Sequence, residues 1–315
     1  MVPPAPDDEG AGTRRFAPGY VFASRYRMIT RIGHGGMGEV WHADDLVLQT
    51  PVALKLISST SEQGRERILN EVRLARQITH PAVCRVFDIA QTEGRVFYSM
   101  ELVHGEDLAT LLRRVGRLPA EKVVDIALQL CAGLAAAHAQ GVLHRDLKPA
   151  NVLIDENGSV RITDFGIAIT TDETGHHALI GTPGYMSPEQ LTPGAPLSEK
   201  SDVYAVGVVL YELLAGALPS SGSLAFGPDV PPELEQVIVQ ALAQDPRDRP
   251  ASPAAIAERL LMAAPATSRR RRLWPWLGAA AVAAVVGILA VLSASLFPRQ
   301  AHALPTMTRS SSPTS

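Results

Sequence analysis

Cysteine is nearly missing from this sequence: 315 residues contain two, Cys84 and Cys131. Both lie in stretches that read as apolar core, and they form neither a C-x-x-C nor a metal-ligand spacing. That excludes a disulfide-stapled miniprotein and leaves reduced, buried thiols in a reducing compartment. Net charge is equally scarce. A formal charge of −3 and a pI near 6.3 exert no global pull toward nucleic acid, which is not an expected partner, and charge informs only where it clusters, at Arg269 to Arg272. The opening M-V-P-P-A-P-D-D-E-G has no basic n-region and no apolar h-region, so it is not a cleaved secretory signal; residues 1–19 read as a disordered, proline-rich acidic leader. No internal repeat is found. Against these absences stands a chain that is 46% hydrophobic and 19% charged, ample for a sizeable core.

From residue 20 the texture is that of short strands broken by glycine. Residues 26–32, 40–42 and 52–57 predict a small antiparallel sheet. Ile68, Val72, Ala75 and Ile78 recur at helical spacing and Pro81 follows, predicting a helix over 62–78. Residues 83–90 and 95–101 return to strand composition around a turn at 91–94. Beyond Gly105 the pattern is helical: 108–115, then a dense Ala/Leu run at 123–138 that predicts a buried central helix, then 201–214, 234–243 and 256–262. A strand-rich half followed by a helical half predicts two lobes.

Residues 273–297 carry no charge for 25 positions. At about 1.5 Å per residue, a helix of that length exceeds the roughly 30 Å hydrocarbon core, so one transmembrane helix is expected there. Four arginines precede the span and Arg299 follows it, so the positive-inside rule keeps everything N-terminal in the cytoplasm, at the inner face of the plasma membrane. Trp274 and Trp276 suit the interfacial belt, and Pro275 sits near the helix start. Residues 263–272 then form a basic juxtamembrane linker, and 298–315 an extracytoplasmic tail too short and polar to fold as a sensor. Ala283 and Gly287, at i and i+4, offer a small-residue face for a homodimer.

Gly33-His34-Gly35-Gly36-Met37-Gly38-Glu39-Val40 lies between two strand-like runs. Its glycines let backbone N–H groups approach phosphates that a Cβ would hold away, and no helix opens at Gly38 as a dinucleotide fold would require. Val52-Ala53-Leu54-Lys55 occupies the next strand. Glu71 sits in the helix after it, where it can pair with Lys55; Glu62 and Glu66 are the competing exposed helix charges. His144-Arg145-Asp146-Leu147-Lys148-Pro149-Ala150-Asn151 matches H-R-D-L-x-x-x-N at every specified position. Asp164-Phe165-Gly166 follows across the strand-like residues 160–163.

In these motifs, residues 20–262 resemble the catalytic domain of bacterial, eukaryotic-like (Hanks-type) serine/threonine protein kinases. The resemblance implies an α+β fold with a small β-rich N-lobe, about 20–103, and a larger helical C-lobe, about 104–262. It also implies ATP, Mg²⁺ or Mn²⁺ in its place, protein substrates, and transfer of the γ-phosphoryl group to Ser or Thr hydroxyls. On this resemblance Asp146 accepts the hydroxyl proton, Lys148 balances charge on the moving phosphoryl group, Lys55 contacts the α/β-phosphates with Glu71 as its ion-pair partner, and Asn151 and Asp164 hold the metal. ATP would lie against Ile32, the loop Gly33, His34, Gly35, Gly36, Met37 and Gly38, and the apolar Val40, Ala53 and Leu153. Met100 would be the gatekeeper, with Glu101 and Val103 presenting hinge backbone to adenine. Gly181 to Glu189 is similar to the segment ending in A-P-E, with Ser187 in place of Ala. By the same likeness Glu189 pairs with Arg249, Asp202 braces the catalytic loop and Thr182 shapes the substrate site. Thr170, Thr171 and Thr174 are candidate phosphosites, with Arg145 as the phosphate's partner.

The stretch between Leu214 and Pro231 is shorter than the family shows, so a helix there should be reduced or absent. Two rival readings weaken on the residues present. A nucleotide-binding scaffold without transfer would lack the lysine, the catalytic aspartate or the metal aspartate, yet Lys55, Asp146, Asn151 and Asp164 are all here. A small-molecule kinase is disfavoured by residues 164–189, which resemble a platform for protein substrates.

Overall fold

Burial alternates at the start of β2 (Tyr26–Gly35), with Tyr26 and Met28 inside and Arg27 outside, the two-residue period of a strand with one face on a core. The computed structural model describes residues 16–35, 38–57, 62–92, 95–165, 182–220 and 224–263. Gly36, Met37, Gly166, Thr170, Thr171, Thr174, Gly181 and the expected membrane span at 273–297 lie outside them. Among the described residues, no helix is long and apolar enough to cross a membrane.

With β1 (Val21–Phe22), β3 (Gly38–Asp45), β4 (Thr50–Ile57), β5 (Val86–Thr92) and β6 (Arg95–Glu101), β2 builds a six-stranded sheet in the order β1-β2-β3-β4-β6-β5, antiparallel throughout. One face carries Phe22, Tyr26, Trp41 and Phe97, and Phe22 meets Phe97 edge-to-face at 4.9 Å. Phe16, within the expected leader at 1–19, joins this cluster 5.3 Å from Phe22, because the ring is worth more against the sheet than in water. The opposite face takes α1 (Glu62–Ala75), whose Ile68 and Val72 pack with Ala53, Tyr98 and Met100. The α1 helix stops three residues short of Ile78. Gln77 and Ile78 donate to Leu74 and Ala75, tightening the last turn while keeping Ile78 buried.

The second lobe is helical. Asp107 caps α2 (Leu108–Val115) through the Thr110 N–H at 2.8 Å, and Gly116 ends it at φ 79°. α3 (Ala120–His138) is buried over most of its length and forms the spine of the largest core with α4 (Glu199–Ala215), α5 (Pro232–Ala241) and α6 (Pro253–Ala263). Beneath the first lobe, β7 (Gly105–Asp107), β8 (Val152–Asp155) and β9 (Val160–Ile162) make a three-stranded sheet. None of the described residues between Gly216 and Pro231 is helical. Leu224, Phe226 and Val230 pack on the core instead, Phe226 lying edge-to-face on Tyr211 at 5.4 Å.

Candidate active site

The tip of the β2–β3 hairpin has two kinds of glycine. A Cβ on Gly38, at φ 136°, would stand 1.9 Å from the Leu56 carbonyl oxygen, so this glycine serves the close approach of β3 to β4. Around Gly35 a Cβ would meet no atom of the other described residues within 4 Å, which leaves space on that side for a ligand. Beneath the loop, Val40 and Val103 pack with buried Ala53 and Met100, giving an apolar wall suited to a flat heterocycle, and Ile32 stands half-exposed at its rim. Val103 finds no hydrogen-bond partner for its backbone among the described residues. Glu101 donates its N–H to the Arg85 carbonyl, and its own carbonyl receives the Cys84 thiol at 3.4 Å. Leu153 sits on β8, pairing in register with Asp107 and Arg161.

Lys55, 5% exposed, binds Asp164 Oδ1 at 2.6 Å. The expected pair with Glu71 is not the arrangement adopted. Glu71 instead accepts from Arg145 Nη1 at 3.2 Å, because the Asp164 carboxylate has taken the ammonium and the Arg145 guanidinium reaches α1. Asp164 carries a positive φ of 63°, a left-handed backbone rare for a residue with a Cβ. Burial raises its carboxyl, and Lys55 more than offsets this, holding it below the ordinary carboxylate range. The Tyr98 hydroxyl donates to the same Oδ1 at 3.0 Å; burial and the Asp164 charge push that phenol well above its usual value.

Asp146 Oδ2 receives Lys148 Nζ at 2.7 Å and Asn151 Nδ2 at 3.2 Å, and Lys148 reaches on to Thr182 Oγ1 at 3.1 Å. Asp146 Oδ1 has no donor among the described residues and is the oxygen left to take a proton. Asn151 Nδ2 also donates to the Asp146 carbonyl at 2.7 Å, so the amide of Asn151 is oriented with its oxygen as the remaining functional end. That oxygen and the Asp164 carboxylate are hard oxygen donors, too few for an all-protein cage but suited to a Mg²⁺ that nucleotide phosphates help to hold; the residues present fit the ion.

Two buried carboxylates, Asp202 and Glu189, anchor this loop. Asp202, 1% exposed, accepts the backbone N–H of His144 at 2.8 Å and of Arg145 at 2.9 Å, and its Oδ2 lies 2.7 Å from His138 Nε2. Burial raises its carboxyl, and the His138 contact together with the His144 and Arg145 N–H bonds outweighs it, leaving it low. His144 is itself fully buried, which lowers its imidazole, and it tilts over Phe165 at 4.8 Å. Glu189 takes a two-pronged bond from Arg249 at 2.7 and 2.8 Å, and burial is overcome so that its carboxyl falls to about 2. Gln190 Nε2 donates to the Arg145 carbonyl at 2.7 Å, tying this segment to the catalytic loop.

Sequence reasoning passed over Tyr98, His138 and Gln190. Tyr98 faces Lys55 across β4 and β6, a register that only the folded sheet reveals. His138, at the end of the central helix, reads as core until Asp202 arrives 64 residues later in the chain.

The cleft joins a glycine hairpin, a buried lysine and an aspartate-bearing loop, the parts of a phosphoryl-transfer centre. The family model described as a protein kinase domain matches residues 26–261. The serine/threonine-protein kinase pkn3 of Myxococcus xanthus is 39% identical over 268 residues, covering 74% of this chain and 49% of that protein. The serine/threonine-protein kinase PknA of Mycobacterium tuberculosis is 38% identical over 258 residues, 73% of this chain and 59% of that one. The probable serine/threonine-protein kinase PknB of Lactococcus lactis is 33% identical over 255 residues, 73% and 40% respectively. The chain belongs to the protein kinase family, and it spans about half the length of these curated relatives.

Proposed function

We propose that this protein is an ATP-dependent serine/threonine protein kinase acting in bacterial signalling. The observation that carries this reading is the catalytic loop: Asp146 has one oxygen held by Lys148 and Asn151 and the other left for a substrate proton, beside a lysine that also touches Thr182. In the reaction a Ser or Thr hydroxyl gives its proton to Asp146 Oδ1 as its oxygen bonds to the γ-phosphorus and the bond to ADP breaks. Lys55 steadies the α- and β-phosphates, and Lys148 balances charge on the moving group. Val40, Ala53 and Leu153 enclose the base, with Glu101 and Val103 lending backbone to its edge. Asn151 and Asp164 would hold Mg²⁺, or Mn²⁺ in its place, and the ion supplies neutralisation of phosphate charge. Incubating the purified chain with radiolabelled ATP, Mg²⁺ and a generic protein substrate tests the reading. Label on serine and threonine is expected, and label on neither the chain nor the substrate would end it.

Phosphorylation of Thr170, Thr171 or Thr174 by the chain itself is the proposed switch. Arg145, which pairs with Glu71, is a fitting partner for such a phosphate. Mass spectrometry of wild-type and Asp146→Asn protein checks this; active enzyme without phosphate on any of the three would refute it. The domain is further proposed to be tethered at the cytoplasmic face of the inner membrane by residues 273–297, on the strength of their 25 uncharged positions and the preceding arginines. Ala283 and Gly287 would support pairing of two such helices.

A further inference from the structure

We propose that Tyr98 is a positioning residue for the metal-holding carboxylate of Asp164, setting how well the kinase takes Mg²⁺ without contributing to metal-free nucleotide binding. Two donors converge on one oxygen: Asp164 Oδ1 receives Lys55 Nζ at 2.6 Å and Tyr98 Oη at 3.0 Å. They come from adjacent strands. Lys55 and Tyr98 are direct cross-strand partners in β4 and β6 and therefore share a face of the sheet. Tyr98 is 1% exposed, and Asp164 is its one hydrogen-bond acceptor among the described residues. Its ring lies in a buried cluster with Val72, Val96 and Met100.

A single ammonium leaves a carboxylate free to rotate about the line joining them. A second donor arriving from another direction removes that freedom and leaves Oδ2 as the end presented to a cation. The constraint acts where it is needed, because Asp164 sits at φ 63° and such a backbone persists only when its surroundings hold it. Behind the residue is a small cavity lined by Val72, Cys84, Tyr98, Met100 and Phe165. Without the hydroxyl, Asp164 borders that cavity with only Lys55 to direct it.

The proposal rests on the reading of Asp164 as a metal holder, and the experiment separates the two. A non-hydrolysable ATP analogue is titrated calorimetrically into the full chain in detergent, wild type and Tyr98→Phe, over a Mg²⁺ series and in EDTA. The phenylalanine variant should bind the analogue as wild type does in EDTA while needing about threefold to tenfold more Mg²⁺ for half-maximal enhancement. Its turnover should be low at scarce Mg²⁺ and recover at excess. An unchanged or lowered Mg²⁺ requirement overturns the role of Tyr98, and so does an equal loss of binding in EDTA, which a merely structural residue would produce. Wild-type binding indifferent to Mg²⁺ would overturn the metal-holding reading and this role together. Should Tyr98→Phe lose its fold, Tyr98→Met, another apolar side chain without the hydroxyl, is read in the same titration.

Discussion

Asp164 and Arg145 both adopt left-handed backbone, at φ 63° and 67°, at a cost on the order of 1–2 kcal/mol each. Each is held by side chains of the cleft: Asp164 by Lys55 and Tyr98, Arg145 by Glu71 and, through its N–H, by Asp202. Lys55→Met and Asp164→Ala should each abolish phosphoryl transfer while the domain still unfolds in one cooperative transition, measured by labelled-ATP assay and thermal melting. A rate near wild type would contradict their assigned roles. Glu189 gives a pH prediction. Its carboxyl is at about 2 in the fold against an ordinary 4.5. A carboxyl lowered by folding stabilises fully above its unfolded value and loses that contribution as pH falls toward its folded one, a loss of about 3 kcal/mol. Urea unfolding between pH 5 and 3 should therefore show wild type losing stability with acidification more steeply than Glu189→Gln. Buried His144, lowered from an ordinary 6.5, acts in the same direction and begins at milder acidity.

At the scale of elements, packing at Gly207 in α4 gives the clearest forecast. A Cβ there would lie 2.9 Å from that of Ala241 and 3.2 Å from the Leu242 side chain. Gly207→Leu should force α4 and α5 apart and cost about 1–3 kcal/mol, read as a lower urea midpoint, with Gly207→Ala milder. Most of these elements were legible in the sequence because their apolar residues recur with a recognisable spacing: 2 at Tyr26 and Met28, and 3.6 at Ile68, Val72 and Ala75. The motif residues were legible as types at fixed spacing, which is how Asp146, Asn151 and Asp164 declared themselves. What stayed hidden depends on contacts between distant segments. Val83 forms a single bridge to Ile162 where a strand was expected, since Cys84 donates to Ile162 across the lobes rather than to a neighbouring strand. β7 is three residues long and exists only because β8 lies alongside it. The partner of Glu71 is likewise a matter of which cation arrives, and sequence spacing could not distinguish Arg145 from Lys55.

For the whole molecule, the described residues form a catalytic domain, and the uncharged run at 273–297 bears on where that domain works. Expressed in bacteria, the full chain should resist alkaline carbonate extraction from membranes, whereas residues 1–268 should be released into the soluble fraction; full-length protein that washes off would refute the tether. Inside the domain, one carboxylate near the start of α4 carries the amides of the catalytic loop. Asp202→Asn should lower kcat at least tenfold while leaving analogue affinity near wild type, by turnover and calorimetry, since losing charge-assisted bonds loosens the loop and not the adenine wall. Evolutionary pressure on speed thus reaches a helix that meets neither reactant. On the proposed function, drift at that single buried position would silence transfer and still leave a competent receptor for ATP, so an inactive descendant of this chain need not betray itself by any change in the cleft.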